Sequence, residues 1–423
     1  MGALETAQRA LAAIAPIIDT LERELDPSRL AVECLGFNRR GVPENGVYTE
    51  EAISLWQQAV EENADDLVSL HHLAICHHAC AIDLEVGDTP EAADLHWEKS
   101  LDCWRRIWQS DRFWERFASE AVGDEGERLA AAVREALPTQ LLSLHYDILM
   151  DPSTSEERAA RHMAFARQSG FAPEVLAAIR ERSFNQWMQE ISADVWESDA
   201  EADLNQCIAH MGQYLARDAD CRDAMEEALR LLTRRNYQWH LATAGAEPSV
   251  RTRLFSDTAD SVDDWERHIT PLFRGDAAPD DALRVQLGRF YFLAAVANEF
   301  LAREDIMFKQ LAIVREWGLP QEKENALGLT AKVYNGRGER AADRRDWTAA
   351  MTAWKEAAEL QPNNSVYQFN LFQCHWVSGE KFAAVRFLDA ALGIAGIQER
   401  AEITGAVQSM GIQDEVERIR RGG

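Results

Sequence analysis

No stretch of the 423-residue chain approaches the roughly 20 apolar residues a membrane-spanning helix needs, so we expect no membrane insertion. Two-residue alternation of β-branched and polar residues is also missing, which argues against a sheet. Basic residues are outnumbered: 44 Lys and Arg face 71 Asp and Glu, for a formal charge of −27. Such a field repels phosphate backbones and anionic lipid, so nucleic acid is not an expected partner; the charge reads either as serving solubility alone or as suiting a basic protein partner. Cysteine is scattered and odd in number (Cys34, Cys76, Cys80, Cys103, Cys207, Cys221, Cys374). That is not a disulfide framework, and a reducing cytoplasm is the expected compartment. The start, Met1 to Leu25, has neither a basic opening nor a small-residue cleavage site and reads as an amphipathic helix rather than a signal peptide.

Catalytic signatures are missing as well. There is no GxSxG, HRD, DFG, HxE with PCxxC, HExxH or DxDxDG pattern. Gly336-Arg337-Gly338 has no strand before it and no GK[ST] after it, so it is not a phosphate loop. Carboxylates are too common to nominate, apart from Asp83, Glu85 and Asp88, which lie near a histidine-rich stretch. The chain reads first as a binding protein, with a helical metal-binding protein or enzyme built around the His- and Cys-rich helix 71–83 as the alternative.

What is present is helical periodicity almost throughout. Apolar residues recur at three and four, as in Leu101, Trp104, Ile107 and Trp108, or Leu293, Val296, Phe300 and Leu301. Gly and Pro mark breaks from Gly36 to Gly46, from Gly87 to Pro90, at Asp151-Pro152, and between Gly170 and Pro173. Further breaks fall at Gly245 to Pro248, Gly275 to Pro279, Gly318 to Pro320, and Gln361-Pro362. Ser153, Ser155 and Glu156 carry capping chemistry for one helix, and Asp257 to Asp264 for another.

The clearest repeat runs from Ala331 to Asn364. Tyr334, Gly338 and Ala341 on a first helix, then Ala350, Trp354, Ala357 and Pro362 on a second, resemble the tetratricopeptide repeat. Small residues at Gly338 and Ala350 allow two helices to cross closely, Trp354 fills the wedge, and Pro362 ends the second helix. One unit later Leu371, Ala384, Leu388 and Ala391 keep register, with Phe372 where a small residue is expected. A weaker echo, at 48–108, has Ala52, Trp56 and Ala59, then Leu70, Leu73 and Ala74, then Ala93, Trp97 and Ser100. Its second hairpin is read as having a longer connecting loop than the family's.

The expected fold is therefore all-α, a tetratricopeptide-like superhelix of helical hairpins. Five segments follow: an N-terminal helix and loop (1–43), His- and Trp-rich hairpins (44–120), divergent hairpins (121–325), clear repeats (326–396), and a capping tail (397–423).

The resemblance implies a groove lined by first helices. In the amino-terminal part that lining would be Val68, His71, Ile75 and His78. In the carboxyl-terminal part it would be Lys332, Asn335 and Glu339, then Phe369, Asn370, Gln373 and Trp376. Asn335 and Asn370 echo a clamp for a terminal carboxylate, but Glu339 sets an acid where such a clamp wants an amide. A mixed amide and aromatic groove suits an extended or helical peptide. The implied roles are adaptor, assembly factor, scaffold, or subunit of a larger complex.

The stretch Leu70 to Asp83 holds four of the eleven His and two of the seven Cys. Three readings stand side by side. His72, Cys76, Cys80 and Asp83 share one helical stripe, whose i, i+4 spacing suits two ligands to zinc or copper, completed by His96 and Cys103 from the next helix. Alternatively, the cysteines pack as small hydrophobes and His77 is a hydrogen-bonded core residue. In the third, His71 and His78 receive a partner's carboxylate. The aromatic run Trp97, Trp104, Trp108, Phe113, Trp114 and Phe117 reads as core packing.

Overall fold

The computed structural model describes residues 50–87, 89–120, 126–151, 153–274 and 279–422. The N-terminal helix read at 1–43, with Cys34, lies outside them, as do the side chains of Ala52 and Val68. The described residues form helices and connecting turns, with no strand among them. The chain divides into two compact units: 1–197 with 209–224, and 198–208 with 225–423.

In the first unit lie α1 (Glu50–Glu62), α2 (Leu67–Val86), α3 (Pro90–Gln109), α4 (Asp111–Glu120), α5 (Gly126–Met150), α6 (Glu156–Gln168), α7 (Pro173–Met188) and α8 (Ala193–Glu197). Helices α9 (Glu201–Arg217) and α10 (Arg222–Ala242) contribute residues to both units. The core here joins Leu70, Leu73 and Ala74 of α2 to Leu101 and Ile107 of α3, Trp114 of α4, and Leu137, Leu142 and Tyr146 of α5. Pro138 sits inside α5 and cannot donate to the Arg134 carbonyl one turn back. The Trp108 indole N–H donates to that carbonyl instead, at 3.0 Å. A backbone defect in one helix is thereby met by an aromatic from another. Asp218 is fully buried, accepting two bonds from Arg180 at 2.8 and 2.9 Å and one from the Tyr146 hydroxyl.

The second unit continues with α11 (Pro248–Ile269), α12 (Pro271–Arg274), α13 (Asp281–Phe300), α14 (Glu304–Trp317), α15 (Pro320–Asp343), α16 (Trp347–Leu360), α17 (Ser365–Val377), α18 (Lys381–Ile394), α19 (Ile397–Ser409) and α20 (Gln413–Arg420). Pairs α13/α14, α15/α16 and α17/α18 are hairpins with one turn geometry. In each, a backbone N–H reaches the carbonyl five residues back: Arg303 to Asn298 at 2.8 Å, Asp346 to Ala341 at 2.9 Å, and Glu380 to His375 at 2.9 Å. The residue before each donor is left-handed, with φ of 57° at Ala302, 61° at Arg345 and 83° at Gly379. This is the closure of the Schellman motif, which satisfies carbonyls at a helix end. Only the last hairpin uses glycine there, so the repeated geometry is largely invisible in the residue pattern.

The same bond closes α2 onto α3, from Thr89 to the Leu84 carbonyl at 2.9 Å. Helix α2 runs on to Val86 and α3 starts at Pro90. The longer loop expected there is thus a correction: the connection between the two helices has the same length as those after α15 and α17.

Inside α15, a Cβ on Gly338 would meet Trp354 ring atoms at 2.4–2.7 Å. Gly costs a helix about 1 kcal/mol relative to Ala. Here its bareness admits the indole, whose N–H donates to the Asn335 carbonyl at 3.2 Å. In the following hairpin Phe372 and Leu388 stand at the corresponding positions, both buried in one cluster with Trp376 and Ala384. Bulk has moved from the second helix to the first, and the turn is unchanged. The tail forms two helices, α19 and α20, which add Ile403, Val407 and Val416 to that cluster.

Ser155 caps α6 by accepting from the Arg158 N–H at 3.3 Å. Asp257 to Asp264 cap nothing. They lie within α11, whose start is set by Pro248, and Asp260, Asp263 and Asp264 face solvent.

Candidate functional site

Helices α15 and α17 open successive hairpins, and their polar residues meet. The Asn370 Nδ2 donates to Asn335 Oδ1 at 2.8 Å, and the Asn335 Nδ2 donates to Glu339 Oε1 at 2.7 Å. Asn335 and Glu339 are one helical turn apart, so two amides and a carboxylate form a directed chain. Glu339 is exposed, Asn335 and Gln373 are half-buried, and Asn370 is 9% exposed. Phe369 is half-buried and tilts against Phe372, with ring centroids 5.4 Å apart. Trp376 is buried, and the Lys381 ammonium lies 3.6 Å from its ring centroid. Trp376 is therefore largely covered, while Asn335, Gln373, Phe369 and Glu339 retain accessible surface. Lys332 pairs with Glu299 of α13 at 3.1 Å.

The amino-terminal set lies differently. His71, Ile75 and His78 are all buried. His71 is edge-on to Trp104 and Phe113, with centroids 5.4 and 5.8 Å away, and His78 is edge-on to Trp97 at 4.9 Å. Burial holds both imidazoles down to about 3, with His72 a further cause at His71. As packed, these three side chains are core, out of reach of a partner's carboxylate. The cause is the helix itself: α2 carries apolar residues on several faces, and the faces holding His71, Ile75 and His78 are covered.

The metal quartet is not gathered. His72 stacks on Trp56, with centroids 4.5 Å apart, while Cys76 is buried, Cys80 half-buried and Asp83 exposed. Burial pushes the Cys76 and Cys103 thiols up to about 12, and His96 pairs with His77, their Nδ1 atoms 3.0 Å apart. Among the described residues no three His, Cys, Asp or Glu side chains come together as a metal site.

Sequence reading did not find the other polar cluster, a buried network tying α2, α3, α5 and α6. Glu85 accepts from the Trp97 indole at 3.1 Å and from Arg158, and Arg158 also reaches Asp94 at 2.7 Å. His162 lies 3.0 Å from Asp94 through Nε2 and 3.0 Å from His145 through its Nδ1. Burial opposes the Asp94 charge, yet hydrogen bonds from His162 and Arg158 outweigh it and hold the carboxyl below its usual range. For His162 burial wins over Asp94, and for His145 burial and the neighbouring His162 and His78 lower the ring well below its usual value. A neutral His162 then donates from Nε2 to Asp94 and accepts from His145 at Nδ1. His145 and His162 were hidden by their separation of 17 residues on two helices. Sealed from solvent, this network is suited to holding helices rather than to chemistry on a substrate.

No family model matches the chain, and comparison with curated proteins finds no match.

Proposed function

We propose that the chain is a tetratricopeptide-like binding protein that holds a peptide segment of a protein partner against the face made by α15 and α17. It would act as an adaptor, assembly factor or scaffold. The observation that supports this reading is the bond from Asn370 to Asn335. It ties the first helices of two successive hairpins, beside accessible surface on Phe369 and Gln373. A carboxamide carries both a donor and an acceptor, the pair that a peptide backbone unit complements. The nominated contacts are Asn335, Phe369, Asn370 and Gln373, with Trp376 supporting Phe369 through Phe372.

The test is selection of binders from a random 12-residue displayed peptide library on the whole chain. Selected peptides are then measured by fluorescence anisotropy. Asn370→Ala with Gln373→Ala should weaken them at least about tenfold, as loss of two polar contacts near 1 kcal/mol each implies. Unchanged affinity in that double variant would place binding elsewhere and defeat the reading.

A further inference from the structure

We propose that the segment held by this face carries a lysine or arginine, seated against Glu339; the inference rests on the peptide-binding reading above and specifies its partner. The first ground is the direction of the amide chain. Asn370 donates to Asn335 and Asn335 donates to Glu339, so the chain ends on an acceptor, with only one carboxylate oxygen used by the bond from Asn335. An exposed carboxylate at the end of such a chain offers its remaining lone pairs to an incoming donor.

The second ground is the accounting of nearby cations. Arg337 and Arg340, on either side of Glu339 in sequence, both reach Glu304 of α14, at 2.6 and 3.0 Å. Lys332 is taken by Glu299, and Lys381 lies over the Trp376 ring. Among the described residues no lysine, arginine or histidine pairs with Glu339. Its charge also reaches α17: the Tyr367 phenol is pushed up, first by burial and then by Glu339. A negative charge set between two hairpins and left without a cation is complementary to a basic side chain.

The third ground is what the arrangement rejects. A terminal carboxylate entering beside Asn335 and Asn370 would meet Glu339 as a like charge, which costs affinity. The face therefore suits an internal segment of a partner rather than its carboxyl end. Phe369, half-buried next to Asn370, supplies an apolar contact for a residue flanking the cation.

The experiment uses the strongest 12-residue sequence recovered by display on the whole chain, synthesised with blocked ends and a fluorescein label. The same peptide is also made with its basic residue changed to Gln. Against the native chain, the Gln peptide should bind about tenfold more weakly, and Glu339→Gln should lose the same factor for the basic peptide. The two losses should not add, because each removes the same pair. Glu339→Lys should abolish binding. Helical signal and melting temperature, unchanged in Glu339→Gln because the side chain is exposed, separate a binding loss from misfolding. Full affinity with Glu339→Gln, or a strongest sequence without Lys or Arg, overturns the inference. If Asn370→Ala still weakens that peptide, the binding reading survives; if it does not, or if no sequence is recovered, both fall.

Discussion

The carboxamide of Asn370 donates to that of Asn335, 35 positions earlier, at 2.8 Å across two helical hairpins. The bond ties α17 to α15, alongside Tyr367, Leu371 and Cys374 of α17, which share a core cluster with Ala331 and Ala341 of α15. Asn335→Ala removes the acceptor for Asn370 and the donor for Glu339. We expect a loss of about 1 kcal/mol, seen as faster hydrogen exchange across α15 and α17, with α2 and α3 unaffected. Equal exchange in both helices would mean the amide chain holds nothing.

Gly338→Ala should destabilise the carboxyl-terminal hairpins although Ala favours helices. The added methyl would collide with the Trp354 ring, and overpacking costs about 1–3 kcal/mol. Trp354→Leu in the same chain should recover part of that loss, since Phe372 and Leu388 already show that bulk can sit on either helix. Additive losses in the double variant, measured by urea unfolding, would contradict the wedge.

The network around Arg158 predicts a large asymmetric effect. Arg158→Met leaves Glu85 and Asp94 buried without their shared cation, which costs about 3–5 kcal/mol. Arg161→Ala, which removes a more exposed partner of Asp94, should cost under about 1 kcal/mol. Both are read from urea titration followed by tryptophan fluorescence, with Trp97 bonded to Glu85. Equal effects would show that burial does not set the cost.

Acid should weaken the first unit early. His71 and His78 titrate near 3 and His77 near 4 when folded, but near 6.5 when unfolded. Between those values the unfolded chain binds more protons. Stability is therefore complete above about pH 6.5 and falls below it, by roughly 1.4 kcal/mol per pH unit for each such histidine. Asp94 adds its own loss only below the ordinary carboxylate range, because its carboxyl is lowered. Urea midpoints at pH 7.5, 6.5 and 5.5 should fall slightly between the first two, since unfolded histidines are half protonated at the second, and more steeply at the third. His78→Leu should make the drop shallower, and a level profile to pH 5.5 would refute the assignment.

Helical class and the wedge pair Gly338–Trp354 were legible because they rest on spacing and residue size. The turns were less so: Ala302 and Arg345 adopt the conformation of Gly379 without its signature, and the 87–89 turn looked longer than it is. His71 and His78 were misjudged because stripes on a wheel say which residues share a face, not which faces are covered. Helix α2 is enclosed on several faces, so a stripe that looks like a lining is core. The His145–His162 pair needed tertiary contact to appear at all.

The most direct measurement places a photo-crosslinking residue at Gln373, and in a second chain at Thr352, an exposed site on α16. Irradiated with the selected peptide, the chain should crosslink from position 373 and not from 352, and excess unlabelled peptide should suppress the product. Crosslinking from 352 alone, or from neither while the peptide remains bound, would contradict a binding face on α15 and α17.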